Sequence, residues 1–354
     1  MEFGIMLPTR ADSWRVVQRA EALGASHAWF YDTALVNAEI FVAMGAAAVK
    51  TDRIILATGV ITPSNRIAPV TASGLAALNL LAPGRIAFGV GTGFTARRTM
   101  DMAAMKLDDM ERYIREVEAL LRGETTEVMV EGKLRRTALL DPTPPLHNIA
   151  DPIPTHVSAF GPRGRKLVTK LGAGWLGSTG TPDSEAATLA EMRAVWAEAG
   201  RDPAALHSCI VGSGTVLAEG ESPDGPRARA QAGPLAAVAF HALAESYGTL
   251  HGEEADTHFP FRDALNAYRK VYAAYPEADR HLWNHRGHMM KLRPDETHIT
   301  GDIIRAFSLT GTRAELVDRL RGMRDAGHSQ LAISLPPGQE DDMLEGWSEV
   351  FAAL

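Results

Sequence analysis

Short apolar runs alternate with amphipathic stretches along most of the chain, a pattern that indicates strands followed by helices. Each apolar run is bounded by glycine, proline or polar residues and is too short for a buried helix. The predicted strands are Phe3–Leu7, His27–Tyr31, Ile54–Thr58, Ile86–Val90, Thr155–Ala159, Trp175–Gly177, Ser208–Val216 and Leu331–Leu335. Their regular recurrence suits repeated βα units, so the pattern predicts a parallel sheet.

The stretches between the strands carry apolar residues at helical spacing. Met110, Ile114 and Val117, for example, share one face of a predicted helix. We expect Asp12 to cap the first helix, which contains Trp14, and Gly24 to end it. The other predicted helices are Phe41–Val49, Pro69–Leu81, Leu107–Arg122, Gly164–Leu171, Ser184–Ala199, Arg313–Ala326 and Asp342–Leu354.

Two excursions, at about 123–151 and 220–301, interrupt this rhythm. The first contains a hairpin-like sequence around Glu131–Gly132, followed by a stretch with Pro142, Pro144, Pro145, Pro152 and Pro154. The second is too rich in aromatic residues for a disordered linker and predicts a helical insertion after the seventh strand. Its aromatic residues include Phe240, Tyr247, Tyr268, Tyr272 and Trp283.

These elements predict an α/β fold, a (β/α)₈ TIM barrel with insertions. The chain has 354 residues, which suits a barrel of about 250 residues with about 100 more in insertions. We see no boundary between independent domains, so a single domain over residues 1–354 is expected.

Composition and charge exclude several classes of protein. The net charge of −7, from 36 basic and 43 acidic residues, is unsuited to a nucleic-acid partner. The single cysteine, Cys209, excludes an internal disulfide and a cysteine-based metal cluster, and it fits a reducing compartment. We find neither a targeting segment nor an apolar run long enough to span a membrane. The expectation is a cytoplasmic protein without a membrane partner.

The fourth strand ends in the glycine-rich run Gly89-Val-Gly-Thr-Gly93-Phe94. The run does not match the dinucleotide fingerprint, because Phe94 follows Gly93 and the strand is not the first of its βαβ unit. The run could simply form a tight turn. Alternating glycines at the carboxyl end of a barrel strand, however, let a planar ligand approach the backbone closely.

A second loop, residues 158–164, joins the fifth strand to a helix. Gly161 permits an unusual backbone angle, and Pro162 fits the first helical turn. The free N–H groups of that helix, with Arg163 beside them, suit an anion such as phosphate. Ser178, after the sixth strand, could donate a further hydrogen bond. An ordinary βα loop would explain the same residues.

Other chemistries find less support in the sequence. His281, His285 and His288 have spacings that suit a metal on one helical face, but no carboxylate completes the set and Gly287 interrupts it. We therefore predict no metal, although a metal-dependent barrel hydrolase would use these residues. No lysine lies at a strand end for a Schiff base, and no nucleophile elbow is present.

Several segments in the same order resemble the luciferase-like monooxygenase superfamily of FMN- or F420-dependent oxidoreductases. They are FGIMLPT at the first strand, ILATGVITP at the third, GRIAFGVGTG at the fourth and PIPTHVSAFGPRGRKLVTKLGAGWLGS across the fifth and sixth. The resemblance is weakest over residues 220–301. The stretch Ala57–Pro63 is similar to the methylenetetrahydromethanopterin reductase-like branch, whose members often use the deazaflavin F420.

The resemblance implies a barrel that binds reduced FMN or F420 at its carboxyl face. It also implies a cis peptide bond at Gly59–Val60, forming a bulge against the cofactor ring. The residues implied at the ring are Thr58, Gly59, Val60, Thr92 and Gly93. Those implied or expected near the phosphate are Ser158, Ala159, Phe160, Gly161, Arg163 and Ser178.

The chain also departs from these relatives. Many F420-dependent relatives have a histidine after the acid at the second strand end, where this chain has Thr33 after Asp32. Relatives that oxidise sugar phosphates carry an acid where this chain has Phe94. Both departures argue against sugar-phosphate oxidation. An apolar, adaptable substrate cavity is indicated instead by Phe94, Trp29, Met6, Met289 and Met290.

Asp32 and His288 remain the candidates for proton transfer. Asp32 could equally serve as a helix cap or make a structural hydrogen bond, and His288 could be a solvated histidine.

The function implied is oxidation or reduction of a small organic substrate with an apolar part. Reduced FMN would support monooxygenation, and F420 would support hydride transfer. A non-catalytic flavin-binding protein on the same fold is the alternative. The resemblance further implies a homodimer and a separate reductase that supplies reduced cofactor.

Overall fold

In the computed structural model, which describes residues 1–141, 146–246 and 259–354, eight parallel strands close into a barrel. Around the barrel the strands follow the order β1, β12, β9, β8, β7, β4, β3, β2. They are β1 (Glu2–Leu7), β2 (His27–Phe30), β3 (Ile55–Thr58), β4 (Ile86–Val90), β7 (Thr155–Ser158), β8 (Gly174–Ser178), β9 (Ser208–Gly212) and β12 (Gln330–Ser334). This confirms the predicted (β/α)₈ barrel.

Apart from the short helix Phe94–Arg98, the helices around the barrel lie where the sequence predicted them, with ends that differ by at most two residues. They are α1 (Trp14–Ala22), α2 (Ile40–Ala48), α3 (Ala68–Leu81), α4 (Phe94–Arg98), α5 (Leu107–Leu121), α6 (Pro162–Leu171), α7 (Pro182–Glu198), α14 (Arg313–Ala326) and α15 (Glu340–Ala352). The short helix α4 had no counterpart in the sequence analysis.

The predicted cap of α1 is wrong. Ser13 is the N-cap residue, and its side chain makes no capping hydrogen bond to the helix. Asp12 instead accepts two hydrogen bonds from the guanidinium of Arg10, at 2.8 and 2.9 Å. Gly24, with a φ of +90°, follows the helix as expected.

The seventh barrel strand ends earlier than predicted. β9 stops at Gly212, and Val216–Leu217 forms a separate strand, β10, that pairs with β11 (Gly311–Thr312). Between them, the backbone of Gly214 lies against Leu309, whose carbonyl oxygen would be 1.9 Å from a Cβ at position 214. This close approach turns the chain out of the barrel and toward the insertion.

The excursion at 123–151 contains the predicted antiparallel hairpin. Its strands are β5 (Thr126–Val130) and β6 (Lys133–Thr137), and the turn between them has positive φ at Glu131 and Gly132. Pro142, Pro144 and Pro145 lie outside the described residues.

The insertion is helical in its described parts. Its helices are α8 (Pro226–Gln231), α9 (Gly233–Ala236), α10 (Val238–Glu245), α11 (Arg262–Ala274) and α12 (Arg280–Asn284), followed by α13 (Gly301–Phe307). They share an apolar core that contains Phe240, Leu265 and Tyr268. Tyr247 lies outside the described residues. Ser213, just after β9, bonds the carbonyl of Gln231 at 3.0 Å, so the insertion begins above the carboxyl end of the barrel.

Three apolar cores hold the molecule together. The first lies between the barrel and its helices, and the second lies within the insertion. The third fills the barrel interior and contains Met6, Trp29 and Leu176. No helix in the described part of the chain is both long and apolar enough to cross a membrane.

Candidate functional site

The loops that follow β3 and β4 are joined by backbone hydrogen bonds at the carboxyl end of the barrel. The N–H of Ile61 donates to the carbonyl of Gly89 at 2.8 Å, and the N–H of Gly91 donates to the carbonyl of Ile61 at 3.1 Å. The Gly59–Val60 peptide bond is cis, as the resemblance implied. The two glycine-containing segments singled out in the sequence therefore lie side by side.

The glycines of the fourth strand allow this close approach. A Cβ at Gly89 would lie 2.0 Å from the carbonyl oxygen of Thr58. A Cβ at Gly91 would lie 2.8 Å from Cγ2 of Val60 and 3.3 Å from Cβ of Ser158. The bare backbone of Gly91 thus lies between Val60 and Ser158, and three loops meet there.

Gly93 has a different structural role, at the start of α4. Its φ of +76° is in the left-handed region, and it is the N-cap of α4. A Cβ at this position would lie 2.4 Å from Cγ2 of Thr62. The preceding residue, Thr92, is half-buried, and its carbonyl accepts a hydrogen bond from the N–H of Met105 at 3.0 Å.

Thr58 is fully buried and its hydroxyl is committed to the backbone. The hydroxyl donates to the carbonyl of Gly89 at 2.7 Å and accepts from the N–H of Gly89 at 2.8 Å. The side chain therefore fixes the register of β3 and β4. In contrast, Val60 is half-buried and can contact a ligand at the barrel mouth.

Two side chains, those of Trp175 and Arg165, hold the loop after β7 through hydrogen bonds to its backbone. The indole N–H of Trp175 donates to the carbonyl of Ala159 at 2.8 Å. Arg165 donates to the carbonyl of Phe160 at 2.8 Å, and its second terminal nitrogen bonds Glu191 at 2.8 Å. Phe160 is exposed. Arg165, which the sequence analysis overlooked, therefore holds this loop in place.

Gly161 does not use the unusual backbone angles that glycine permits. Its φ of −93° and ψ of 163° are ordinary extended values, and a Cβ built there would meet no atom within 4 Å. Gly161 is the N-cap of α6, and Pro162 occupies the first turn as expected. The N–H groups at the start of such a helix have no intrahelical acceptor.

Arg163 and Ser178 line different cavities. Exposed Arg163 lies in a groove of about 540 Å³ between α5 and α6, with Lys106, Lys166 and Lys170. Exposed Ser178 lines a cavity of about 180 Å³ together with Phe160. Ser178 therefore shares a cavity with Phe160 of the loop after β7, whereas Arg163 does not line that cavity.

Asp32 lies at the end of β2 and is almost fully buried, with 4% of its surface exposed. Both of its carboxylate oxygens accept from Arg66 at 2.8 Å. The carboxylate also accepts from the N–H of Thr62 at 3.1 Å and from the side chain of Asn65 at 3.2 Å. Asp32 therefore anchors the loop that follows the cis bond.

Sequence reasoning missed Arg66, because nothing in the local sequence marks it as the partner of a residue 34 positions earlier. Burial alone would lower the pKa of Arg66, but the charge of Asp32 and hydrogen bonds to Asp32 and Glu39 outweigh it and raise the pKa. The arginine therefore remains charged beside the carboxylate of Asp32.

His288 is buried in a polar cluster within the insertion. Its ring lies 5.3 Å from that of His285 and 5.6 Å from that of His241, measured between centroids. Burial and the neighbouring His241 lower the pKa of His288 well below its usual value. The imidazole is therefore neutral near pH 7, and it is not the solvated histidine considered above.

This cluster contacts the barrel mouth through α4. The ring of Phe94 meets that of His285 edge-on, with 5.7 Å between centroids. Glu245 on α10 lies 2.7 Å from Nε2 of His285 and 3.2 Å from Arg98. Sequence reasoning missed Glu245, although its spacing of four from His241 on a helix was a usable signal.

Two residues expected in the substrate cavity lie elsewhere. Trp29 and Met6 fill the barrel interior, where both are buried. A Cβ at Gly59 would lie 2.8 Å from Cβ of Trp29 and 3.1 Å from Cε of Met6. These side chains support the loop after β3 from beneath, which corrects the expectation that they line a cavity.

Comparisons with known proteins agree with this architecture. A 5,10-methylenetetrahydromethanopterin reductase of Archaeoglobus fulgidus is 26% identical over 329 residues, which are 92% of this chain and 89% of that protein. An F420-dependent glucose-6-phosphate dehydrogenase of Beutenbergia cavernae is 35% identical over 147 residues. That match covers 39% of this chain and 41% of the dehydrogenase. The chain thus spans about two fifths of the length of that relative.

A solved structure and a family model extend the comparison. The coenzyme F420-dependent tetrahydromethanopterin reductase from Methanopyrus kandleri superposes with a TM-score of 0.69 at 21% identity, covering 98% of this chain and 97% of that chain. This likeness shows the shared fold. The family model described as luciferase-like monooxygenase matches residues 1–330. The chain therefore belongs to the luciferase-like monooxygenase family.

Proposed function

We propose that this protein transfers a hydride between F420, bound at the carboxyl end of the barrel, and a small organic substrate with an apolar part. The observation that carries the proposal is the meeting of three loops at Gly91, between Val60 and Ser158. The choice of F420 over FMN is supported by the F420-dependent glucose-6-phosphate dehydrogenase of Beutenbergia cavernae, which is 35% identical over 147 residues.

The residues at the mouth fit a flat ring with an anionic tail. Half-buried Val60 offers an apolar surface to a ring, and the missing side chain at Gly91 lets Val60 and Ser158 come together beneath it. The N-terminus of α6 offers free backbone N–H groups to a phosphate, and Ser178 and Phe160 flank it. When bound, F420 supplies the hydride chemistry, and the protein orients it and excludes water.

Two residues would have distinct roles in this reaction. Asp32 would act as a positioning residue, because Arg66, Asn65 and Thr62 already occupy its carboxylate. His288 would take part in proton transfer, and because burial lowers its pKa it would hold the extra proton only transiently.

The substrate would differ from a sugar phosphate. Phe94, at the start of α4, is half-buried and packs against His285 and Arg98, so an aromatic ring stands where an acid would be needed. The match to the glucose-6-phosphate dehydrogenase covers 39% of this chain and does not extend that substrate to it. A carbonyl, imine or alkene with an apolar substituent fits this environment better.

Separate titrations with F420 and FMN test the cofactor. We expect the absorbance of F420 to change on binding, with a tighter dissociation constant than that of FMN. Tighter binding of FMN, together with oxygen-dependent turnover, would instead support monooxygenation. Binding of neither cofactor would contradict both versions.

A non-catalytic flavin-binding protein remains the alternative function. Such a protein would bind cofactor without oxidising or reducing it in the presence of any carbonyl, imine or alkene substrate. We expect F420 oxidation or reduction that depends on added substrate, monitored by the cofactor absorbance, and a panel without turnover would favour the alternative.

We further propose a homodimer and a partner reductase. The sequence of α2, IFVAMGAAA, has no polar side chain, and a helix that is apolar all round is normally covered on both sides. Exposed apolar side chains on α2, at its C-cap and on α3 include Val42, Val49, Val70 and Leu81. Light scattering should give twice the 38.1 kDa chain mass. Where the cofactor gives the hydride to the substrate, a separate reductase would supply reduced cofactor between turnovers.

A further inference from the structure

A group of histidines and a glutamate lies at the amino-terminal end of the barrel, opposite the candidate cofactor site. Glu2 begins β1, His27 begins β2 and His207 directly precedes β9. β12 lies between β1 and β9, so its first residue, Gln330, lies among them. None of these side chains takes part in the proposed hydride transfer, so an inference about them is independent of it.

Three atoms of this group converge closely. Oε2 of Glu2 lies 3.4 Å from Nδ1 of His27 and 3.7 Å from Nε2 of His207. All three atoms lie within 4.8 Å of one another. Tetrahedral zinc, with bonds of about 2.0–2.2 Å to nitrogen and oxygen, separates its ligands by about 3.3–3.6 Å. The two distances from Glu2 are thus close to those between zinc ligands, and the third lies within 4.8 Å.

This convergence distinguishes the group from the histidines that the sequence analysis considered as metal ligands. Within residues 1–141, 146–246 and 259–354, it is the one set of three or more metal-ligating side chains with such geometry. His281, His285 and His288 do not form such a set.

The protonation of His27 is set by its neighbours. The indole N–H of Trp29 can only donate, and it donates to Oε1 of Gln330 at 2.9 Å. The amide nitrogen of Gln330 must then face Nδ1 of His27, at 2.6 Å. Nδ1 therefore carries a lone pair, which accepts from Gln330 in the absence of an ion, and an unprotonated nitrogen is the state that a metal ligand needs.

His207 has an outer partner that suits a ligand. Its Nδ1 lies 3.1 Å from Nε2 of His156. With the proton of His207 on Nδ1, the ring donates to His156 and turns a lone pair on Nε2 toward Glu2. Metal-ligating histidines normally donate their second N–H in this way. Gly174 makes room for this partner, since a Cβ there would lie 2.2 Å from Cδ2 of His156.

The group is open enough for an ion to enter. The side chain of Glu2 is 48% exposed and that of His207 is 31% exposed, whereas that of His27 is 9% exposed. Water can therefore reach the fourth ligand position. Without an ion, the amide of Gln330 and the hydroxyl of Ser26 lie at Nδ1 of His27, and both must turn away when an ion binds.

We propose that Glu2, His27 and His207 bind a divalent transition-metal ion, with zinc as the best match, and that His156 is a positioning residue. Two imidazoles and one carboxylate favour zinc or its neighbours over magnesium or calcium. The ion would connect β1, β2 and the start of β9 across β12. At the amino-terminal end of such a barrel the site contributes to stability rather than to the reaction.

Titration of the untagged, chelator-treated protein with ZnCl₂ tests the proposal. We expect one zinc ion per chain by calorimetry, a higher melting temperature with ZnCl₂ and no comparable response to MgCl₂. His207→Gln and Glu2→Gln should each weaken zinc affinity at least tenfold. His156→Gln should weaken it by about 10–100-fold, the usual effect of removing an outer partner of a metal ligand.

His147→Gln removes a histidine far from the group and serves as the matched control, with unchanged zinc affinity. Cobalt absorption provides a second measurement, because a tetrahedral site that includes His207 gives visible bands that His207→Gln abolishes. The half-exposed His207 can be replaced without opening the core, so this variant carries the test even if His27→Gln does not fold. Absence of stoichiometric zinc, or equal affinity in His207→Gln and His147→Gln, would overturn the proposal.

Discussion

At the scale of single residues, Asp32 shows how contacts define a role that sequence leaves open. Its carboxylate accepts hydrogen bonds from Arg66, Asn65 and the backbone of Thr62. The side chains of Asp32 and Arg66 are only 2% and 12% exposed. Removing one charge from such a pair leaves the other charge buried without compensation, which is costly.

Asp32→Asn should therefore lower the free energy of unfolding by about 3 kcal/mol, because the charge of Arg66 loses its main partner. Denaturant unfolding monitored by circular dichroism measures this loss. Asp12→Asn is the matched control, since the pair of Asp12 with Arg10 is about half exposed and should contribute less than about 1 kcal/mol. Equal stability of both variants would contradict the buried-pair interpretation.

His328 predicts a pH dependence of stability. Burial and the nearby Arg193 and Arg319 lower its pKa to about 4, from 6.5, while Glu185 lies close by. The unfolded chain therefore takes up a proton between pH 6.5 and 4 that the folded chain does not. Folding stability from this group is complete above pH 6.5 and is lost as the pH falls toward 4.

His328→Phe should accordingly lose less stability than the wild-type protein between pH 7 and 4.5. The expected difference is on the order of 2 kcal/mol, from the proton uptake that the variant lacks. Denaturant midpoints at several pH values measure it, and His147→Phe controls for removal of a more exposed histidine. Parallel pH profiles for wild type and His328→Phe would show that this histidine is not responsible.

At the scale of elements, β3 and β4 are held in register by one side chain and one missing side chain. The hydroxyl of Thr58 bonds both backbone groups of Gly89. The absence of a side chain at Gly89 lets the carbonyl of Thr58 lie against it. The apolar pattern predicted both strands, but the pairing between them depends on this contact.

Gly89→Ala should destabilise the protein by at least about 1–3 kcal/mol, because its Cβ would be placed 2.0 Å from a backbone oxygen. Thermal unfolding measures the effect. Gly322→Ala, on α14 with nothing within 4 Å of its Cβ, is the control and should be stabilising by up to about 1 kcal/mol. A Gly89→Ala variant as stable as wild type would contradict the packing described for β3 and β4.

The N-terminus of α6 permits a test of cofactor binding with little risk to folding. Gly161 has extended backbone angles and open space around its Cβ, so Gly161→Val should fold normally. We expect weaker F420 binding, by at least fivefold, if the cofactor phosphate approaches this backbone. Fluorescence titration measures the affinity, and Gly322→Ala again provides the control. Unchanged affinity would remove this loop from the proposed site.

At the scale of the whole molecule, the insertion is attached to the barrel mouth by a few defined contacts. Phe94 and Arg98 on α4 meet His285 and Glu245 of the insertion. The insertion has its own apolar core, separate from that of the barrel. This arrangement predicts that the insertion can move away from the barrel mouth while the barrel stays folded.

Glu245→Gln should increase hydrogen exchange in α10 and α12, because the carboxylate that meets Arg98 and His285 loses its charge. Exchange in β1 to β4 should stay unchanged, since the barrel core does not depend on this contact. Mass spectrometry of peptic peptides measures both regions. Uniform exchange changes across the chain, or none in the insertion, would contradict this attachment.

The sequence by itself predicted the barrel, its strand order along the chain, the hairpin and the helical insertion. These features follow from local periodicity, since a strand or helix needs one apolar face wherever it finally packs. The resemblance carried by short glycine-containing motifs also implied the cis Gly59–Val60 bond. Motifs of this kind can be recognised in a sequence because only glycine supplies the bare backbone that is required at a fixed place along the strand.

Only the tertiary structure decided which residues meet. The pairing of Asp32 with Arg66, the approach of Glu245 to Arg98, and the grouping of Glu2, His27 and His207 join residues from different elements. Barrel closure brings the starts of β1, β2 and β9 to one end, although Glu2 and His207 lie far apart in sequence. The local sequence pattern does not indicate these contacts, because they depend on how complete elements pack in three dimensions.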